Sequence, residues 1–136
     1  MKTRSRVVLA DDHEAMQQRV RAILEPEFEV VGTVNNGQAL VEAASDLNPD
    51  VLVVDISMPL LNGLDAVRSI LRSGAQPKVV FLTVHEDPDM IPLCFEAGAL
   101  GFVVKSSLAS DLIPAIRLAL VNRTFVSPTV AWESRT

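Results

Sequence analysis

The sequence predicts an α/β protein of the doubly wound kind, a parallel sheet sandwiched between two layers of helices. Three observations carry this. Five short β-branched runs alternate with segments whose apolar residues recur every three or four positions. Two of the runs, Val51–Val54 and Lys78–Leu82, are apolar without alternation, as parallel strands covered on both faces are. Turn-forming pairs fall between the elements rather than inside them.

In chain order, Arg6–Ala10 (RVVLA) is the first strand, and Met16, Val20, Ile23 and Leu24 stripe the helix after it. Glu25-Pro26-Glu27 ends that helix and suggests no chemistry. The second strand is Phe28–Val34, followed after Asn36-Gly37 by a helix striped by Leu40, Ala43, Ala44 and Leu47. Asn48-Pro49 leads into the third strand, Val51–Val54. Asn62-Gly63 reads as a tight turn before Leu64, Val67, Ile70 and Leu71. Ser73-Gly74 precedes the fourth strand, Lys78–Leu82. A weaker helical segment runs from about Met90 to Ala97, and Gly98 separates it from the fifth strand, Leu100–Val104. Ser106 and Ser107 are placed to cap the last helix, striped by Leu112, Ala115, Ile116, Ala119 and Leu120.

Two prolines break this grammar. An interior proline loses a backbone hydrogen bond and clashes with the preceding turn, costing roughly 3 kcal/mol. Pro92 therefore predicts a late or distorted start to the fourth helix, and Pro114 a kink or a late start in the fifth. Beyond Asn122 the pattern fades, with Ser127-Pro128 and a lone Trp132. The organisation expected is a domain over 1–122 and a tail or the start of a linker over 123–136.

The 136 residues, 49% hydrophobic and 21% charged, suit one domain with a substantial core. A net charge of −5 and the lack of a basic stripe weigh against direct nucleic-acid binding. No apolar run approaches the roughly 20 residues that span a bilayer. The basic start, Met1 to Arg6, is followed by only four apolar residues, Val7–Ala10, too few for a signal peptide. Cys94 has no second cysteine to pair with and reads as a buried small hydrophobe. Cytoplasmic location is the default expectation.

Chemistry-bearing residues collect at the strand ends: Asp11 and Asp12 after the first, Asp55 after the third, Thr83 after the fourth and Lys105 after the fifth. Open α/β sheets bind ligands beyond the carboxyl ends of their strands, so these residues should converge. A lone aspartate there is usually a turn former or a cap; the whole set is a site. Each close carboxylate pair costs on the order of 1–4 kcal/mol at about 4 Å, depending on screening. The set therefore needs a cation, and all-oxygen ligands suit Mg²⁺. Lys105 adds a compact charge for phosphate and Thr83 a hydroxyl donor. Together they describe acyl-phosphate formation with Asp55 as nucleophile. His13 and His85 lie near this crevice, but neither has a partner at ligand spacing, and both read as polar surface residues.

Beside that reading stands a resemblance. VVLADDH at Val7–His13, VVDISMP at Val53–Pro59, NGLDA at Asn62–Ala66, FLTVH at Phe81–His85 and AGALGFVVK at Ala97–Lys105 resemble the receiver domains of two-component response regulators, over about Arg6 to Asn122. The DDH start, the EVVG run at Glu29–Gly32 and Asn36-Gly37 are similar to the NarL/FixJ-type subfamily, whose full-length members usually carry a LuxR-type helix-turn-helix after the receiver. The resemblance implies a flavodoxin-like (βα)₅ three-layer sandwich with a parallel five-stranded sheet in the order 2-1-3-4-5. It implies Asp55 as phosphoacceptor, and Asp12, Asp11, Asp55 and the Ser57 backbone carbonyl around Mg²⁺. Thr83 and Lys105 would contact the phosphate, and Phe102, three residues before Lys105, would be an aromatic switch turning inward on activation. The output face would surround Met90–Ala97, Phe102 and the last helix.

The implied partners are a sensor histidine kinase or phosphotransfer protein, with a homodimer as one expected assembly. DNA would be reached only through a helix-turn-helix that this chain lacks, and transcription would be the output of a longer protein. The domain would be a phosphoryl-accepting signalling module with slow autodephosphorylation rather than a turnover enzyme. A degenerate receiver acting as a phosphorylation-independent interaction module is the alternative, disfavoured because every acidic position is filled. A small hydrolase with an aspartyl nucleophile usually has a second aspartate two residues on, where Ser57 stands here.

Overall fold

The computed structural model describes residues 4–58, 60–84 and 88–128. Pro59, His85, Trp132 and the end of the tail lie outside them. Alternation of β1 (Arg6–Ala10), α1 (Glu14–Leu24), β2 (Glu29–Val34), α2 (Gly37–Leu47), β3 (Val51–Asp55), α3 (Gly63–Arg72), β4 (Lys78–Thr83), α4 (Met90–Glu96), β5 (Gly101–Val104) and α5 (Leu108–Leu120) follows the sequence pattern element by element. The strands pair in parallel in the order β2-β1-β3-β4-β5, the flavodoxin-like arrangement expected.

Successive side chains of each strand point to opposite faces, which splits the core in two. Val8, Ala10, Leu52, Val54, Val79, Phe81, Phe102 and Val104 face α2, α3 and α4, meeting Leu40, Ala66, Val67, Ile70 and Ile91. Val7, Leu9, Val51, Val53, Val80, Leu82 and Val103 face α1 and α5, meeting Val20, Leu24, Leu112 and Ile116. Both layers are apolar, so β3 is buried along its whole length, as its unbroken VLVV requires. Cys94 is wholly buried, as the sequence suggests.

The structure adds a sixth strand. Phe125–Val126, β6, pairs in parallel with Gly101 and Phe102 at the edge of β5. The Ser127 N–H then donates to the Phe102 carbonyl at 2.9 Å, and its hydroxyl accepts from the Val104 N–H at 3.0 Å. Part of the segment expected to be a tail thus covers an otherwise open sheet edge.

The asparagine–glycine pairs are helix starts. Asn36 and Asn62 cap α2 and α3, their side chains accepting from the Ala39 and Asp65 N–H groups at 2.8 and 2.9 Å. Ser107 sits at the cap position of α5 but makes no side-chain cap hydrogen bond. Pro92 falls in the first turn of α4, where an N–H has no helical acceptor to lose. The helix begins at Met90, and its start is tightened, with Ile91 N–H donating to Pro88 O three residues back. α5 does not start late: it begins at Leu108 and runs through Pro114 to Leu120. Glu27, for which the sequence suggests no chemistry, makes an ion pair with Arg117 that ties α5 to the turn before β2.

Candidate functional site

β1 and β3 are neighbours at the centre of the sheet, so their carboxyl ends bring Asp11 and Asp55 side by side. Asp11 is wholly buried. Its N–H donates to Val34 O at 3.0 Å, and its Oδ1 accepts the His13 N–H at 2.9 Å. Asp55 closes β3 with 5% of its surface exposed, and its Oδ1 accepts the Ser57 N–H at 3.2 Å. Behind it, α3 begins so close that a Cβ on Gly63 would sit 2.4 Å from the Asp55 carbonyl oxygen.

Lys105 reaches in from the end of β5. Its Nζ lies 2.8 Å from Asp11 Oδ2 and 3.2 Å from Asp55 Oδ2, with the ammonium almost entirely buried. Burial is the largest influence on the Asp55 carboxyl and pushes its pKa above the usual carboxylate range; the Lys105 charge opposes this and Asp11 adds to it. For Lys105 burial is again the largest single influence and pulls the pKa down. The hydrogen bond it donates to Asp11 and the two carboxylate charges together outweigh it, leaving the ammonium more basic than usual.

Asp12 is partly exposed at the rim, with His13 Nδ1 2.9 Å from its Oδ1 and 3.5 Å from Asp11 Oδ1. One ligand atom each from Asp11, Asp12, His13 and Asp55 lies within 4.8 Å of the others. Opposite ligands of a Mg²⁺ ion stand about 4.2 Å apart, from bonds of roughly 2.1 Å, so a set spread over up to 4.8 Å would draw in by about half an ångström around such an ion. The donor chemistry fits: three carboxylates are hard oxygen ligands, and two are buried where a second cation would relieve their repulsion. His13 is the weaker member, a nitrogen donor on a largely exposed side chain. Its sequence context suggests only a polar surface residue.

Thr83 ends β4, nearly buried. Phe102 is fully buried and stands opposite Phe81 in the β4–β5 register. Its side chain therefore already lies inside the core. Gln17, which no sequence motif marks, donates from its side-chain amide to Asp11 O at 2.5 Å. An uncharged residue outside any motif gives no signal of such a role.

Residues 7–117 match the response regulator receiver domain family, and the chain belongs to that family. It is 35% identical over 126 residues to the transcriptional regulatory protein DegU of Brevibacillus brevis, covering 91% of this chain and 53% of DegU. In structure it is similar to a LuxR-family two-component response regulator from Aurantimonas, with a TM-score of 0.89, 30% identity, and coverage of 96% and 94% of the two chains. The isolated receiver domain of RcsB from Salmonella enterica, determined with a phosphomimetic, matches with a TM-score of 0.85 at 25% identity over 95% and 97%. The chain spans about half the length of the curated relatives it matches. Receiver domains of this family are signalling domains. Among the described residues, no helix is long and apolar enough to cross a membrane.

Proposed function

We propose that this chain accepts a phosphoryl group on Asp55 in a Mg²⁺-dependent reaction and passes the change to its output surface. The observation that carries the proposal is the Lys105 ammonium seated within 3.2 Å of both Asp11 and Asp55, beside a third carboxylate, Asp12, gathered within 4.8 Å of them. Bound Mg²⁺, held by Asp11, Asp12, Asp55 and the Ser57 carbonyl, would supply positive charge to the phosphoryl oxygens and draw them toward the nucleophile.

The rest falls to the protein's own groups. An Asp55 carboxylate oxygen attacks phosphorus, the new O–P bond forms, and the bond to the donor breaks. The leaving group is the imidazole of a phosphohistidine or the acetate of acetyl phosphate. Burial leaves the Asp55 carboxylate poorly solvated, which favours its reaction with an electrophile. Lys105, pulled between two carboxylates beforehand, is placed to follow the charge onto the phosphoryl group. Thr83 would donate its hydroxyl to a phosphoryl oxygen. With Phe102 already inside, we assign the first signalling movement to Thr83 and the end of β4, and Phe102 holds the inward state. Water attacking the acyl phosphate would reset the domain slowly.

The donor is a sensor histidine kinase or phosphotransfer protein in the cytoplasm. The output is transcription through a longer protein, consistent with regulators such as DegU, and a homodimer is one mode, as RcsB has been captured as two dimers on two parallel DNAs. Incubation of the chain with Mg²⁺ and acetyl phosphate should add the mass of one phosphoryl group. Asp55→Asn should abolish the adduct. An unmodified native chain, or an undiminished adduct on Asp55→Asn, overturns the reading.

A further inference from the structure

We infer that Gln17 is a positioning residue that fixes the geometry of the Asp11–Asp12 pair for a divalent ion; the inference rests on the function proposed above. Asp11 lies one residue past the end of β1, so its peptide has left the regular strand. Its carbonyl accepts the Gln17 side-chain amide at 2.5 Å, from the fourth residue of α1. The same amide nitrogen lies 3.4 Å from Val34 O, which already accepts the Asp11 N–H at 3.0 Å. One side chain thus ties together the ends of β1 and β2 and the first turn of α1.

The consequence follows from peptide planarity. The Asp11 carbonyl and the Asp12 N–H share one rigid plane, so holding the oxygen sets the direction in which the chain delivers Asp12. Asp11 is fixed independently, through His13 N–H on Oδ1 and Lys105 on Oδ2. Asp12 sits at the rim with His13 Nδ1 near its carboxylate. Its placement relative to Asp11 therefore depends on that peptide plane.

The residue type suits the task. Glutamate in this place could not donate to the carbonyl, and lysine or arginine would bring a positive charge to a site that must attract a cation. Asparagine falls one methylene short. A glutamine donates across the gap and leaves the charge of the site unchanged. Groups outside the ligand set that orient the ligands commonly matter to metal affinity by about 10–100-fold.

The test is a Mg²⁺ titration of the 136-residue chain, followed by amide shifts of residues 11–13 and 55–57, with a thermal melt beside it. Gln17→Met keeps the length and helix preference of glutamine and removes the donor; Gln17→Asn keeps the donor and loses the reach. Both should bind Mg²⁺ about tenfold more weakly while melting within a few degrees of the native chain. Gln18→Met, on the exposed side of the same turn, should bind as the native chain does. Affinity within twofold of native in Gln17→Met, or an equal loss in Gln18→Met, overturns the inference and leaves the proposed function standing. A native chain with no Mg²⁺ response overturns both.

Discussion

At the ends of β1 and β3 the clustered carboxylates are held from several directions. Asp11 is gripped through its N–H, its carbonyl and both carboxylate oxygens, and Asp55 is backed by the Gly63 backbone and bonded by the Ser57 N–H. At the ends of β4 and β5 the support is thinner. β5 has four residues, β6 two, and α4 seven, too few for a helix to hold itself without packing. Val84 and Leu93 are exposed there. The contrast separates two needs: an ion requires carboxylates that do not move, and a signal requires a neighbouring part that changes at low cost. Lys105 joins the two halves, rooted after β5 and seated between Asp11 and Asp55.

Cutting that join should have the largest effect. Lys105→Met leaves two buried carboxylates facing each other, and the metal-free chain should lose about 3 kcal/mol in urea unfolding. Mg²⁺ should restore part of it. The pH dependence sharpens the point. The pKa of Asp55 is raised in the folded state, chiefly by burial, so its charging costs stability as pH rises from about 3.9 through the raised value. Lys105 opposes that rise, so without it the window extends upward. The metal-free variant should regain more stability between pH 7 and 5 than the native chain, whose Lys105 stays charged throughout because its pKa is raised. Equal pH slopes would mean that Lys105 does not couple the halves.

Glycine substitutions compare the rigidity of the two halves directly. A Cβ on Gly63 meets the Asp55 carbonyl at 2.4 Å, an atom of the central strand that cannot step aside. A Cβ on Gly101 in β5 meets the Val80 side chain first, its methyl groups at 3.0 and 3.1 Å and its Cβ at 3.4 Å. Gly63→Ala should cost about 2 kcal/mol and weaken Mg²⁺ binding by displacing Asp55, whereas Gly101→Ala should cost about half as much. Urea unfolding and a Mg²⁺ titration read both quantities. A costlier Gly101→Ala would reverse the comparison.

Most of this architecture is legible in the sequence because strand and helix leave different periods in the chain, and strand ends in an open sheet face one side. That logic alone puts Asp11, Asp12, Asp55, Thr83 and Lys105 at strand ends, and Asp11, Asp55 and Lys105 do meet. It fails where the signal has no period or no distinctive chemistry. Phe125 and Val126 are too short a run to read as a strand, and their role comes from the open edge of β5. Gln17 carries no charge, so only the direction of its amide reveals what it holds. Asn36-Gly37 and Asn62-Gly63 look like turns because a cap and a turn favour the same residues; the glycines are needed instead where helix starts press against Leu61 and Asp55. Pro114 suggests a kink or a late start, and the late start does not occur because local preference says nothing of the packing of Leu112, Ala115 and Ile116 that holds α5 together around it.

The smallest effect belongs to the edge that sequence does not reveal. Ser127 is wholly buried, and its hydroxyl is the acceptor for the Val104 N–H, one residue before Lys105. Ser127→Ala removes that acceptor without adding bulk, leaving a buried donor unpaired at a cost of about 1 kcal/mol. The cost should be local. Amide exchange at Val104 should quicken well before that at Val54, because β3 is flanked on both sides while β5 depends on a two-residue strap. Should Val54 quicken equally, the edge would be part of the same rigid unit as the carboxylates, and the division between a fixed half and a yielding half would not hold.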